Sequence, residues 1–361
     1  MAEIAGELGT CAADKLSAAR RGAKCEAKSS TGQCFFESEL PRAKFIIRRM
    51  SNASQSLDPN APVRTVHCQT PEEFLGELSK HRGPLPRQWI FRGHSDDAYQ
   101  LIPSALRNNS QLLIEGSSYP EVRDSKTQRF LEVCMLDDFF KTADSIGLAL
   151  PEDTQVLRNY LFRARHESDT WPQEHVLSLM ALAQHHGVPT RLLDWSRNPL
   201  KAALFAASAA TKNADKTGRL SVWAFSLALF ELCIPIPPSE SRPSLFTLVT
   251  APSATNSNLH AQEGVFTLAQ NISGDASPVD RRSLDEVLGD WIENYKISSR
   301  TGWFYRLTLP KAEADNLCWE IAHQGITQAT LFPNFSGVVA AINDMNRWMR
   351  PGGPGHATFS S

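Results

Sequence analysis

Reactive side chains are concentrated between His185 and Ser196 of this chain. They are two imidazoles, a guanidinium, a carboxylate, an indole and a hydroxyl, carried by His185, His186, Arg191, Asp194, Trp195 and Ser196. A base, an orienting acid and a hydroxyl nucleophile make up a hydrolytic triad. A guanidinium can instead bind phosphate or close an ion pair in the core. This stretch therefore predicts a functional site and leaves these chemistries open.

Two helices and a short strand are expected to position these side chains. The apolar pattern that starts at Leu177 predicts a helix ending at Gly187, which can adopt the left-handed backbone angles of a helix C-cap. Thr190 to Trp195 is typical of a short buried strand. Pro199 is typical of a first helical turn, and the alanine-rich segment from Leu200 to Ser208 predicts a second helix.

Polar residues also stand at two other predicted strands. Gln88 to Gly93 predicts a strand on which Arg92 shares a face with Ile90. Because an arginine on an apolar strand is costly without a partner, we expect Arg92 either to bind a ligand in a cleft or to form a buried ion pair. Gln262 and Glu263 precede a further predicted strand.

Composition limits the classes of function. The 361 residues are 42% apolar, enough for a sizeable core, and 37 basic against 39 acidic residues argue against a broad nucleic-acid-binding face. Seven cysteines without a CxxC pair indicate reduced thiols and a cytoplasmic protein. Since no leader pattern and no apolar run of ~18 residues is found, no membrane association is expected. The sequence does not identify a protein partner.

The order of predicted elements indicates one main domain. We predict a weakly ordered segment over residues 1–62, a domain over 63–350 with a helical insertion around 120–186, and a disordered tail over 351–361. Helices precede a region in which strands and helices mix. This order favours an α+β fold with a mixed, mostly antiparallel sheet and flanking helices.

Five separated blocks resemble, in order, the FRG domain, a bacterial family named for a Phe-Arg-Gly triplet. They read FRG at residues 91–93, IPSALR at 102–107, QHHGVPTRLLDWSRNPLKAALFAA at 184–207, AQEGVF at 261–266 and TLFPNFSG at 330–337. The resemblance covers roughly residues 65 to 345. It implies membership of a fold more directly than it implies a reaction.

The block order is also similar to that of arginine-containing ADP-ribosyltransferases, in which an arginine strand, a serine strand and a glutamate strand follow one another. This likeness implies an ADP-ribosyltransferase-like fold and NAD as a substrate, with no permanently bound cofactor. It implies that Arg92 binds a dinucleotide phosphate, Ser196 orders the nicotinamide ribose, and Glu263 stabilises the transition state. The dinucleotide-binding set would be Phe91, Arg92, Gly93, Arg191, Asp194, Trp195 and Gln262. A cytosolic NAD-consuming activity would fit a bacterial defence or toxin system.

Two other functions stay open. In a hydrolase, His185 or His186 would be the base, Asp194 its orienter and Ser196 the nucleophile, although the chain lacks a GxSxG elbow. The catalytic candidates are therefore Glu263, Ser196 and His186. In a non-catalytic binding or regulatory module, the charged cluster would only lock the core. No metal site is expected, because adjacent helical histidines point about 100° apart. An open cleft at Arg92 would favour an enzyme, and a sealed core would favour the module.

Overall fold

A seven-stranded sheet organises the chain in the computed structural model, which describes residues 63–81, 89–107, 124–164, 171–228, 244–250, 260–271, 278–294 and 302–356. The strands are β1 (Val63–His67), β2 (Trp89–His94), β3 (Leu192–Ser196), β4 (Arg219–Ser226), β5 (Ser244–Val249), β6 (Gly264–Asn271) and β7 (Phe304–Pro310). Their order across the sheet is β1-β7-β4-β2-β3-β6-β5. Only β1 and β7 pair in parallel, and all other neighbours are antiparallel. This arrangement confirms the predicted α+β fold with a mixed, mostly antiparallel sheet.

The described helices pack on the sheet or on one another. They are α1 (Pro71–Lys80), α2 (Ser125–Ser145), α3 (Gln155–Ala164), α4 (Leu177–His185), α5 (Pro199–Lys212), α6 (Leu284–Asn294), α7 (Ala314–His323), α8 (Gln328–Leu331) and α9 (Phe335–Trp348). The start of α5 follows from local chemistry. The side chain of Asn198 accepts a hydrogen bond from the Leu200 amide at 3.0 Å, and Pro199 occupies the first turn, where no backbone donor is needed.

Three apolar clusters fill the spaces between these elements. One joins α1, α5 and α7 to β2, β4 and β7, and a second joins α6 to the opposite side of the central strands. The third packs α2, α3 and α4 against β3, β5 and β6. The helices α2 to α4 fall within the range predicted as a helical insertion, and they share a buried core with one end of the sheet. That they are an insertion stays a prediction.

The sheet splits between β2 and β3. These strands share a single residue pair, Phe91 with Ser196, whereas β2 pairs with β4 along its whole length and β3 does so with β6. The Nη1 group of Arg92 donates to the backbone oxygen of Asp194 at 2.7 Å. A side chain thus provides a hydrogen bond across the gap where continuous strands would use backbone amides.

The two ends of the chain can be described only in part. The predicted weakly ordered segment, residues 1–62, lies outside the described residues, as do residues 357–361. Residues 351–356 of the predicted tail form turns in which the Gly355 amide donates to the Trp348 oxygen at 3.1 Å. A helix with the length and apolarity needed to cross the bilayer does not occur in the described part of the chain.

Candidate functional site

A cavity of about 580 Å³ opens at the split between β2 and β3. Its base comes from β2, β3 and the start of β6, and its walls come from α4, α5, the loop at residues 149–151 and a residue that follows α8. The polar residues of the lining are Arg92, Ser178, Gln184, His185, Asp194, Ser196 and Gln262. This volume is in the range of small-molecule binding sites, which is about 300 to 1,000 Å³.

Arg92 crosses the split and contributes to the cavity wall. In addition to its bond with the Asp194 backbone, its Nη1 lies 3.5 Å from the Asp194 carboxylate, and its Nε donates to Nε2 of His94 at 3.0 Å. The side chain is only 16% exposed. Within the described ranges, Nη2 of Arg92 has no acceptor. A mostly buried guanidinium therefore keeps two unused donors at the edge of a cavity.

His94 holds this guanidinium in place. Burial, and after it the charge of Arg92, lower the pKa of His94 to about 3. The ring is therefore neutral near pH 7, and Nε2 is unprotonated because it accepts from Arg92. The proton is then on Nδ1, which donates to the Tyr99 backbone oxygen at 3.2 Å. A neutral histidine of this kind orients the arginine without neutralising its charge.

Asp194 places a carboxylate on the cavity wall. Its side chain is 62% exposed. One carboxylate oxygen accepts a hydrogen bond from the amide nitrogen of Gln184, and the amide oxygen of Gln184 accepts one from the Thr190 hydroxyl. This relay runs from the end of α4 to β3 and fixes the orientation of the carboxylate next to Arg92.

Ser196 also lines the cavity, but both of its hydrogen bonds are made with the backbone. Its hydroxyl donates to the Gln262 oxygen at 2.7 Å and accepts from the Asn198 amide at 3.0 Å. The hydroxyl proton is thus directed at a carbonyl rather than at a base. In this geometry Ser196 fastens the end of β3 to the turn before β6, and it does not form the hydroxyl–imidazole contact of a triad.

Glu263 lies beside the cavity lining rather than within it. Its neighbours Gln262 and Gly264 line the cavity, whereas its own carboxylate accepts from Lys201 at 2.8 Å and from Asn198 at 3.2 Å. The backbone of Glu263 has a φ of 50°, in the left-handed region that is unfavourable for residues with a Cβ. Such strain is often found near functional sites.

Two other predicted site residues point elsewhere. The buried Arg191 side chain donates from Nε to both oxygens of Glu132, at 2.7 and 3.0 Å, and so ties the start of β3 to α2. His186 follows the last residue of α4 and lies alongside the Phe139 ring at 6.4 Å. His185 lines the cavity instead, and burial together with the neighbouring His186 lowers its pKa.

The structure thus brings eight of the predicted residues to one cavity, and it leaves three outside the lining. The eight are Phe91, Arg92, Gly93, His185, Asp194, Trp195, Ser196 and Gln262. The three are Arg191, His186 and Glu263. No group of three or more potential metal ligands occurs among the residues that the structure describes.

Sequence reasoning did not single out the apolar wall of the cavity. Phe205 on α5 and Phe332 after α8 meet edge to face, with ring centroids 5.7 Å apart. Leu150 and Pro151 contribute from the loop after α2. Phe332 belongs to the TLFPNFSG block, whose resemblance to the FRG domain could have indicated it, but no sequence pattern indicates that Leu150 and Pro151 line a cavity. Such a wall can receive a planar ring.

Comparison with known proteins adds one finding. The family model of the FRG domain matches residues 87–215, a range that includes β2, β3 and α5 together with Arg92, Asp194 and Ser196. No curated protein and no solved structure matches the chain. Residues 87–215 of this chain are therefore an FRG domain, and the cavity is built largely from this part.

Proposed function

We propose that the cavity binds a dinucleotide of the NAD class and that the chain acts on it as an ADP-ribosyltransferase-like or NAD-glycohydrolase-like enzyme. One observation carries the proposal: Arg92 is mostly buried, yet Nη2 keeps two donors without an acceptor among the described residues, on the wall of a ligand-sized cavity. Phosphate oxygens are strong acceptors for a guanidinium that is already held in place.

The rest of the wall supports a ligand with both charged and aromatic parts. His94 and the Asp194 backbone fix the guanidinium before a ligand arrives, which lowers the entropic cost of binding. The phenylalanine pair of Phe205 and Phe332 offers an apolar surface for a base or a nicotinamide ring. A dinucleotide joins these two chemistries in one molecule.

Cleavage of the bond between nicotinamide and ribose needs a carboxylate near the ribose. The C–N bond breaks with its electron pair going to nicotinamide. Water or an acceptor hydroxyl forms the new bond to the ribose carbon and loses a proton. Asp194 offers a carboxylate on the wall, and Glu263 offers one beside it that is held by Lys201. Either can stabilise the positive charge that develops on the ribose.

The proposal is tested by NAD binding and nicotinamide release. Calorimetry should show that Arg92→Lys weakens NAD binding at least about 10-fold, because lysine keeps the positive charge but loses the planar set of N–H donors of the guanidinium. Arg282→Lys is the matched control, because Arg282 pairs with Asp280 on the surface, and it should bind as the unmodified chain does. Nicotinamide release should be lost in Arg92→Ala and in one of Asp194→Asn and Glu263→Gln. Absence of NAD binding at about 1 mM, or equal affinity in Arg92→Lys, would refute the proposal.

A non-catalytic module is the second candidate, and a specific contact favours it. Arg92 bonds the Asp194 backbone across the split and therefore also stitches two halves of the sheet. If this is its whole role, Arg92→Ala will lower the unfolding temperature, and the unmodified chain will neither bind nor cleave NAD.

A further inference from the structure

One face of α9 carries an uninterrupted stripe of exposed apolar side chains, which we call the α9 stripe. Its members are Phe335, Val338, Val339, Ile342, Met345 and Met349. Phe335 is 92% exposed, and the least exposed member, Met349, is still 42% exposed. Isolated apolar residues are normal on a protein surface, but a contiguous set of this kind marks an interaction surface. The helix lies outside the residues matched by the FRG family model.

The spacing of the stripe is that of a helix that packs on another helix. From Phe335 through Val338, Ile342, Met345 and Met349, the steps are alternately three and four residues. This heptad pattern forms a narrow seam and is typical of helix pairs. The opposite face of α9 is already used, since it buries Gly337, Asp344 and Trp348 against the domain.

Five of the six stripe residues are arranged symmetrically about Ile342, and the sixth, Val338, has Asn346 at the matching position. Phe335 and Met349 lie seven residues before and after Ile342, and Val339 and Met345 lie three residues before and after it. In an antiparallel pair with a two-fold axis at Ile342, each of these residues meets its counterpart on the second helix. Phe335 then contacts a methionine sulfur, a favourable pairing.

Charge and size agree with a second copy as the partner. No charged residue belongs to the stripe, so two identical faces meet without repulsion. Asp344 is buried on the other side of α9 and pairs with Arg347. Phe335 to Met349 span about 21 Å of helix, and pairing two such stripes buries on the order of 800 Å² in total. An interface of this size is below the roughly 1,200 Å² that stable complexes bury, so we expect a weak dimer that forms only at high protein concentration.

From these observations we infer that the α9 stripe is a homodimerisation surface, occupied by the same stripe of a second copy in antiparallel orientation. Sedimentation velocity of the full chain from about 1 to about 100 µM tests this inference. The unmodified chain should pass from monomer to dimer over this range, and Ile342→Glu should weaken association at least about 100-fold. Phe162→Glu is the matched control, because Phe162 is 75% exposed and belongs to α3 rather than to α9, and it should leave association unchanged.

The outcomes are distinct from those of the proposed function. NAD binding should be equal in Ile342→Glu and in the unmodified chain, so loss of one property does not imply loss of the other. A chain that stays monomeric at about 100 µM, or an Ile342→Glu variant that dimerises as well as the unmodified chain, overturns the inference. Ile342→Cys with a short bis-maleimide should give a 342-to-342 adduct between chains. An adduct to residues 1–62 of the same chain would show a different occupant and also overturn it.

Discussion

Gly93→Ala should be among the most destabilising small substitutions in this fold. A Cβ at residue 93 would lie 2.0 Å from the backbone oxygen of Ala202 and 2.9 Å from the amide nitrogen of Ala206. Ordinary contact begins at 3.4 Å, so the helix α5 would have to retreat from β2 by about 1.4 Å. Neither obstacle is a flexible side chain. We expect a loss of about 3 kcal/mol of unfolding free energy, and therefore a melting temperature about 6 °C lower.

The same substitution at Gly76 provides a control of opposite sign. Gly76 is exposed in the middle of α1, and a Cβ there meets nothing within 4 Å. Since alanine favours helix more than glycine does, Gly76→Ala should stabilise the chain by about 1 kcal/mol, or about 2 °C. Calorimetric melting of the three proteins decides the matter. A Gly93→Ala variant that melts with the unmodified chain would show that α5 does not pack on β2 as closely as the structure has it.

Three further substitutions test other contacts. Glu132→Gln should cost about 3 to 5 kcal/mol in urea unfolding, because it leaves the buried charge of Arg191 without its carboxylate; a cost under about 1 kcal/mol would contradict the pairing. Because the pKa of His94 is lowered to about 3 in the folded chain, only the unfolded chain binds a proton at this residue between about pH 6.5 and pH 3. The unfolding free energy therefore decreases as the pH is lowered, by up to about 1.4 kcal/mol per pH unit. His94→Asn should reduce this slope between pH 4 and 6, and an unchanged slope would exclude His94 as its source. Glu263→Gly should be more stable than Glu263→Ala by about 1 kcal/mol, because only glycine relieves the positive φ; equal stabilities would refute the strain.

Local sequence patterns predicted most of the elements and the fold class. The strand predicted over Gln88 to Gly93 is β2 within one residue at each end, and the helix predicted to run from Leu177 to Gly187 is α4, which begins at Leu177 and ends at His185. Pro199 is predicted in a first helical turn, and it is the first residue of α5. These signals are short in range, since they come from periodicity, capping and proline chemistry.

The site was predictable in its residue types but not in its orientation. Adjacent histidines on a helix point about 100° apart, so only the packing of α4 decides that His185 lines the cavity while His186 contacts Phe139. Arg191 was placed with the dinucleotide-binding residues on the likeness of the block order to ADP-ribosyltransferases. Its partner Glu132 lies 59 residues away in sequence, and no local pattern indicates that pair. Contacts of this range depend on the whole fold.

Each residue of the Phe-Arg-Gly triplet has a separate structural role at the split between β2 and β3. Phe91 is 2% exposed and packs in the core shared with α5. Gly93 lets the α5 backbone lie directly against β2, which brings that helix to the cavity wall. Arg92 stands between them on the other face of the strand and reaches across the gap to β3, where backbone pairing has ended. The split therefore requires a long hydrogen-bonding side chain at residue 92, and the two donors left on that side chain are available to a ligand. Arg92 thus both bonds β2 to β3 and gives the cavity its positive charge. Lysine at this position keeps a long, charged hydrogen-bonding side chain but loses the paired N–H donors of the guanidinium, so Arg92→Lys separates the structural role from the ligand-binding role better than Arg92→Ala does.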